Sequence, residues 1–212
     1  MAEPGKFLTP EPLHQWHKMF WDHDAKWCCN ALGKEEINFR SSILHPYNGY
    51  HQFREGISQL KQVTGREHRN FQCYLVGAIA GGAPKEFIIT IRALMDFCYL
   101  GQTPVANKLI NEKMEDALSL FHQHKDPIID LGACQGKGGR VIDNWHIPKL
   151  EIMQSVVPNI RVNGVVMQWN TDHTECAHIT EIKNPGRGVT TKTMNHKWLA
   201  IWIAQINVTT LT

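Results

Sequence analysis

The chain has 212 residues, of which 42% are hydrophobic and 20% are charged, and its formal net charge is +2. This composition is typical of a globular chain that can bury a core. The net charge is too small to indicate a nucleic-acid partner by itself, and no run of 18 apolar residues is present to predict a membrane span.

The N-terminal residues and the cysteines predict an intracellular protein rather than a secreted one. Met1–Leu8 contains no apolar signal region. The six cysteines form no C-x-x-C pair and have no regular spacing, which argues against a disulfide framework and against a zinc knuckle. We therefore expect reduced thiols in a cell interior.

Helices dominate the predicted elements in the first part of the chain. Thr9 and Pro10 predict a helix start, and Gly33 is a natural stop for that helix. Phe53, Ile57 and Leu60 suggest a further short helix. Four more helix starts are predicted from caps and prolines, at Thr64, Pro84, Thr103 and Pro148.

The predicted architecture is mainly α, an antiparallel helical array with at most one or two short strands. Residues 1–130 are the helical region, and residues 131–146 are a Gly- and Lys-rich loop that we expect to be mobile. Residues 147–187 form a C-terminal helix and strand segment. Its one predicted strand covers Arg161–Trp169, where β-branched residues are frequent.

The first candidate site is rich in histidine and lies in the first predicted helix. His14 and His17 are three residues apart, so both can face one side of a helix, and Asp22 adds a carboxylate. Two imidazoles and a carboxylate can bind a divalent metal, which would suit a small metal-dependent hydrolase. The alternative is a polar helix face without a ligand, and it is favoured because no H-E-x-x-H pattern is present.

The second candidate site surrounds Glu175 and His178, which are also three residues apart. A carboxylate in a polar pocket can bind Mg²⁺, but phosphoryl transfer uses carboxylates in sets. The alternative is an ordinary helix start, with Thr174 as the cap and Glu175 in the first turn.

A third group of residues could contact a nucleic-acid backbone. Basic side chains can hold phosphates, although a solvated helix face explains them equally well. The candidate residues are Arg54, Lys61, Arg66 and Arg69.

Seven ordered blocks resemble the C-terminal half of Plavaka-type transposases, fungal DNA transposon proteins of the CACTA-like group. The resemblance covers residues 7–187. The blocks are LTPEPLH at 8–14, HKMFWDHD at 17–24, GIS at 56–58, VTGREH at 63–68, LMDFCYL at 94–100, IPKL at 147–150 and TECAHI at 174–179.

The resemblance implies a part of an RNase H-like enzyme, in which a long helical insertion precedes the third metal-binding acid. Glu175 corresponds to that acid, with His178 beside it, and Mg²⁺, DNA and the nucleus are the implied cofactor, partner and location. The first two acids of such an enzyme are expected upstream of Leu8. We therefore expect a degenerate transposase fragment without catalytic activity, cofactor or small-molecule substrate of its own, and the alternative is a domesticated module that binds DNA or protein.

The tail departs from this resemblance. After Arg187 the transposases typically continue with an acidic and tyrosine-rich sequence, whereas this chain has Lys192–Asn195 and the apolar Ala200–Ala204. We interpret residues 188–212 as a frameshifted reading of the ancestral sequence.

Overall fold

The computed structural model describes residues 10–44, 52–60 and 65–184. The chain divides into two compact units, Met1–Asn170 and Thr171–Thr212. Within the described residues the regular elements are helices, and the β-structure is limited to one isolated antiparallel bridge between Gln135 and Val141. The predicted mainly α class is confirmed.

In the described part of the first unit, a continuous helical stretch over residues 12–32 comes first and is here called the N-terminal helix. Two π-helical segments, Pro12–His17 and Phe20–Ala25, lead into α1, Lys26–Leu32. The helix ends at Gly33, which has a φ of 85°, a backbone conformation that glycine adopts without strain. The predicted stop is therefore confirmed, and α2, Lys34–Ser42, begins immediately afterwards.

A short irregular segment, residues 52–60, connects toward α3, Gly65–Ile79. The helix predicted from Phe53, Ile57 and Leu60 is wrong, because these residues lie in turns. Gly56 has a φ of 78°, which interrupts a helical path. The Asn38 side chain of α2 replaces the missing helical bonds, since its Oδ1 accepts from the amides of Ile57 (3.0 Å) and Ser58 (2.9 Å).

Helices α4 (Lys85–Gly101) and α5 (Lys108–His124), each of 17 residues, pack against each other. The short connection between them makes the pair antiparallel. The predicted start at Thr103 is wrong by several residues, because Asn107 is the cap and its Oδ1 accepts from the Ile110 amide at 2.9 Å. The Thr103 hydroxyl instead donates to the Leu100 carbonyl at the end of α4, at 2.7 Å.

Three short helices complete the first unit: α6 (Pro127–Asp130), α7 (Pro148–Met153) and α8 (Val156–Asn163). The Gly- and Lys-rich segment lies between α6 and α7. Two backbone hydrogen bonds flank the Gln135–Val141 bridge in this segment. The Gly136 amide donates to the Arg140 carbonyl and the Ile142 amide donates to the Cys134 carbonyl, each at 2.8 Å.

The strand predicted over Arg161–Trp169 is wrong. Its first residues belong to α8, and Val166–Trp169 forms a 3₁₀ turn after Gly164. Burial decides the conformation here, because Val157 and Ile160 are buried on the inner face of α8 and override the strand preference of β-branched residues.

Aromatic side chains from the N-terminal helix form the centre of the core. The Trp16 indole meets Phe97 of α4 edge-on, with ring centroids 5.9 Å apart, and Phe20 contacts Phe71 of α3 at 6.3 Å. Gly101 leaves room for Trp16, since a Cβ at this position would overlap the indole ring. The N-terminal helix is thereby fixed against both α3 and α4.

The second unit is described over residues 171–184. It contains α9, Asp172–Ala177, and a π-helical segment, His178–Lys183. The tail interpreted as frameshifted, residues 188–212, lies outside the described residues. Across the described part of both units, no helix is long and apolar enough to cross a bilayer.

Candidate functional site

The surface of the N-terminal helix carries a cluster in which three lysines surround one carboxylate. Lys18 Nζ lies 3.0 Å from Asp22 Oδ1, and Lys26 Nζ lies 3.7 Å from the same oxygen. Lys149 Nζ lies 3.7 Å from Asp22 Oδ2. We call Lys18, Asp22, Lys26 and Lys149 the Asp22 lysine cluster.

Local structure explains how these side chains meet. Lys18, Asp22 and Lys26 follow each other at intervals of four residues, so they share one face of the helix. Lys149 arrives from a different element, in the first turn of α7, where Pro148 starts the helix.

Lysines outnumber carboxylates among the members of the cluster. Three ammonium groups converge on the single carboxylate of Asp22. Burial by itself would raise the pKa of Asp22, but the hydrogen bond from Lys18 and the charges of the three lysines lower it overall. Burial lowers the pKa of Lys149, and the charge of Asp22 opposes that shift. A second anion at this position would therefore stabilise the charged form of Lys149.

Two histidines beside the cluster are held in their neutral form. Burial lowers the pKa of His23 to about 4, and the charge of Asp22 only partly offsets it. Burial, together with the nearby charges of His17 and Lys18, also lowers the pKa of His68 to about 4. At neutral pH the positive charge of this surface therefore comes from the lysines.

Asp24 is a separate feature of the same helix, because its carboxyl group lies inside the core. The side chain is fully buried, and neither oxygen has a hydrogen-bond partner. Burial raises the pKa of Asp24 well above 3.8, and Asp24 in turn contributes to the raised pKa of Cys28. A protonated acid in this position is a core group rather than a metal ligand.

The residues predicted to bind a metal in the N-terminal helix have other surroundings. His17 is buried, and its charge contributes to the lowered pKa of His68, while Asp22 is held by lysines. The side chain of His14 lies outside the described ones. Among the described residues, no three His, Cys, Asp or Glu side chains lie close enough together to hold a metal ion. The Asp22 oxygens face ammonium groups that would repel a divalent cation.

Glu175 and His178 lie on the second unit, at the start of α9 and just after it. His178 Nδ1 is 4.0 Å from Glu175 Oε2, and both side chains are more than a third exposed. The cap of α9 is Thr171 and not Thr174, so the predicted cap is wrong, and the Glu175 amide bonds to the Thr171 carbonyl at 2.9 Å. One exposed carboxylate does not fit a two-metal Mg²⁺ centre, which needs several carboxylates around the ions.

Of the four basic residues proposed as phosphate contacts, only Arg54 has a described side chain. It is exposed, and its Nε donates to Gln52 Oε1 at 3.0 Å. Lys61 and the side chains of Arg66 and Arg69 lie outside the described residues.

The sequence contains a charge pattern that indicates part of the Asp22 lysine cluster. A choice of candidate residues by type alone did not reveal this pattern. The K-x-x-x-D-x-x-x-K pattern over 18–26 places alternating charges on one helix face. That pattern is normally a solvated face, and only the structure shows that Lys149 of α7 joins it.

Comparison of the chain with protein-family models, with curated proteins and with solved structures finds no match.

Proposed function

We propose that this chain is a helical DNA-binding module of transposase descent that does not cut DNA itself. The Asp22 lysine cluster carries this proposal, because three convergent ammonium groups, two of them on side chains that are more than half exposed, suit a phosphate backbone. The descent rests on the ordered sequence blocks that resemble Plavaka-type transposases, and the nucleus is the corresponding location.

The cluster is suited to phosphate for three physical reasons. Lys18 and Lys26 are more than half exposed, so their ammonium groups can turn toward a ligand. Lys149 is less exposed and fixes the position of the group. Asp22 lowers the net positive charge of the cluster. In the absence of an anion it also keeps the three lysine side chains close together, so less conformational entropy is lost when a phosphate binds.

The non-cutting part of the proposal rests on the donor set. In the described part of the second unit, no three His, Cys, Asp or Glu side chains lie close enough together to hold a metal ion, and strand transfer by metal ions requires carboxylates in sets. The binding part and the cutting part are independent and can be measured separately.

The test compares two triple variants with the same change in charge. One replaces Lys18, Lys26 and Lys149 by Gln, and the control replaces three exposed lysines on other elements, Lys85, Lys108 and Lys137. Binding of a labelled DNA duplex is followed by fluorescence anisotropy over a series of salt concentrations. Far-UV circular dichroism verifies that both variants are folded.

We expect wild type and the control to bind similarly, and the cluster variant to bind more weakly. The slope of log K against log[salt] should fall in magnitude by about 2 to 3 in the cluster variant, because each lost duplex phosphate contact contributes about 0.9. Equal slopes in the two variants would overturn the binding site. Cleavage of the duplex by wild type with Mg²⁺ would overturn the claim that the chain does not cut.

A further inference from the structure

An indole ring lies next to the Asp22 lysine cluster. Trp21 stacks on His68 of α3, with ring centroids 5.4 Å apart and an interplanar angle of 16°. Among the described residues, Trp21 also meets Phe71 edge-on, with ring centroids 6.5 Å apart and an interplanar angle of 77°. The indole is therefore held in a fixed orientation by α3.

Trp21 differs from the core tryptophans of the same helix in its exposure. Trp16 and Trp27 are 1% and 2% exposed, whereas Trp21 is only half-buried. Trp21 therefore keeps partial solvent exposure on the helix that also carries Lys18 and Lys26.

Helical spacing brings the ring and the charges together. Lys18, Trp21 and Asp22 stand at positions i, i+3 and i+4, which are neighbours on a helix surface. The charges of Lys18 and Asp22 also act on His68, the stacking partner of Trp21. Lys18 and Trp21 thus lie within about one helical turn of each other.

We propose that this site prefers single-stranded over double-stranded nucleic acid, an inference that rests on the DNA-binding function proposed above. The lysines hold the phosphate backbone, and an unpaired base stacks against the exposed part of Trp21. In a duplex each base is covered by its neighbours, so the lysines can still bind the phosphates but the indole cannot stack on a base. Lysines beside an aromatic side chain are the combination used for single strands.

The experiment measures the affinity of the full-length chain for a single-stranded oligonucleotide and for the duplex of the same sequence, at one salt concentration. The variants are Trp21→Leu, which removes the aromatic surface, and Trp21→Phe, which keeps a smaller one. Trp169→Phe is the control, a half-buried tryptophan whose Nε1 donates to the Gly164 carbonyl.

We expect wild type and Trp169→Phe to bind the single strand about tenfold more tightly than the duplex, the scale of one stacked base. Trp21→Leu should lose this preference while its duplex affinity stays within about twofold, and Trp21→Phe should keep part of it. If Trp21→Leu does not fold, the wild-type preference and its reduction in Trp21→Phe decide the question.

Three results would separate the two proposals. If the wild type binds the single strand and the duplex with equal affinity, and duplex binding still depends on the lysines, only the stacking inference is overturned. A parallel loss of both affinities in a folded Trp21→Leu also overturns it, because the residue then acts through the structure only. Absence of binding to either ligand overturns the DNA-binding function itself.

Discussion

Asp24 is the residue at which this helix departs furthest from ordinary packing. Its carboxyl group is fully buried without a hydrogen-bond partner for either oxygen. Transfer of an ionised carboxylate into such an environment is costly, and the raised pKa of Asp24 means that the folded protein keeps the proton instead. Phe20, four residues earlier on the same helix, is also fully buried, so Asp24 lies among apolar core side chains. A carboxyl group without a hydrogen bond in these surroundings lowers the free energy of unfolding.

The Asp24→Asn variant tests this through the pH dependence of stability. Above about pH 3.8 the unfolded wild-type chain releases the proton of Asp24 while the folded chain retains it. The free energy of unfolding of the wild type therefore falls as the pH rises from 3.8 through the raised folded pKa. Over this pH window we expect the free energy of unfolding of the variant to rise relative to that of the wild type, by up to about 1.4 kcal/mol per pH unit.

Urea denaturation of both proteins, repeated at several pH values from acid to neutral, measures the difference. The lowered pKa values of His23 and His68 make the protein less stable toward acid, but they are common to both proteins and cancel in the difference. The same substitution at the exposed Asp116 is the control for the chemical change from carboxylate to amide. A pH-independent difference for Asp24→Asn would show that this carboxyl is ionised in the fold.

At the scale of elements, periodic sequence patterns were predictive where one face is buried along its whole length. The apolar stripe of α4, from Phe87 to Cys98, lies in the core as its spacing indicates. The patterns failed where a distant contact decides the conformation. Asn38 holds residues 56–58 in turns, and neither partner carries a local signal of the other.

Helix α4 ends at a glycine whose place depends on packing. A Cβ at Gly101 would overlap the Trp16 indole and lie 3.0 Å from Met114 Cε, and both neighbours are buried. We expect Gly101→Ala to destabilise the protein by about 1–3 kcal/mol, the usual cost of overpacking a core.

Gly77 of α3 provides the matched control, because a Cβ there would meet nothing within 4 Å. Gly77→Ala should be neutral or stabilising by about 0.5–1 kcal/mol, since alanine favours the helix. Thermal unfolding followed by circular dichroism compares the two variants with the wild type. Equal shifts for both would mean that helix propensity and not the Trp16 contact governs Gly101.

For the whole molecule, the sequence predicted the helical class and most helix positions of the first unit, and it indicated which residue types could be functional. It could not predict their neighbours. Asp22 was selected as a metal ligand by type and spacing, but Lys149 joins it from an element far along the chain. Spacing describes one helix face, whereas the charge of a site depends on every element that reaches it.

The division into two units leads to a prediction about folding. Among the described residues, the buried hydrophobic side chains all lie between Trp16 and Val166, inside the first unit. A chain that ends at Asn170 should therefore keep its cooperative thermal transition, with a midpoint within about 3 °C of the full-length value, a change of roughly 1 kcal/mol.

A chain that ends at Ser155 is the control for this truncation. It lacks α8, which packs on α5 and contributes the buried Val156, Val157 and Ile160. Loss of three buried aliphatic side chains costs several kcal/mol, at about 1.5–3 kcal/mol each, so this chain should unfold at a much lower temperature or lack a transition. If the chain ending at Asn170 behaves like the shorter one, the second unit is needed for the first to fold. If it keeps its transition, the Asp22 lysine cluster can be studied without the apolar tail.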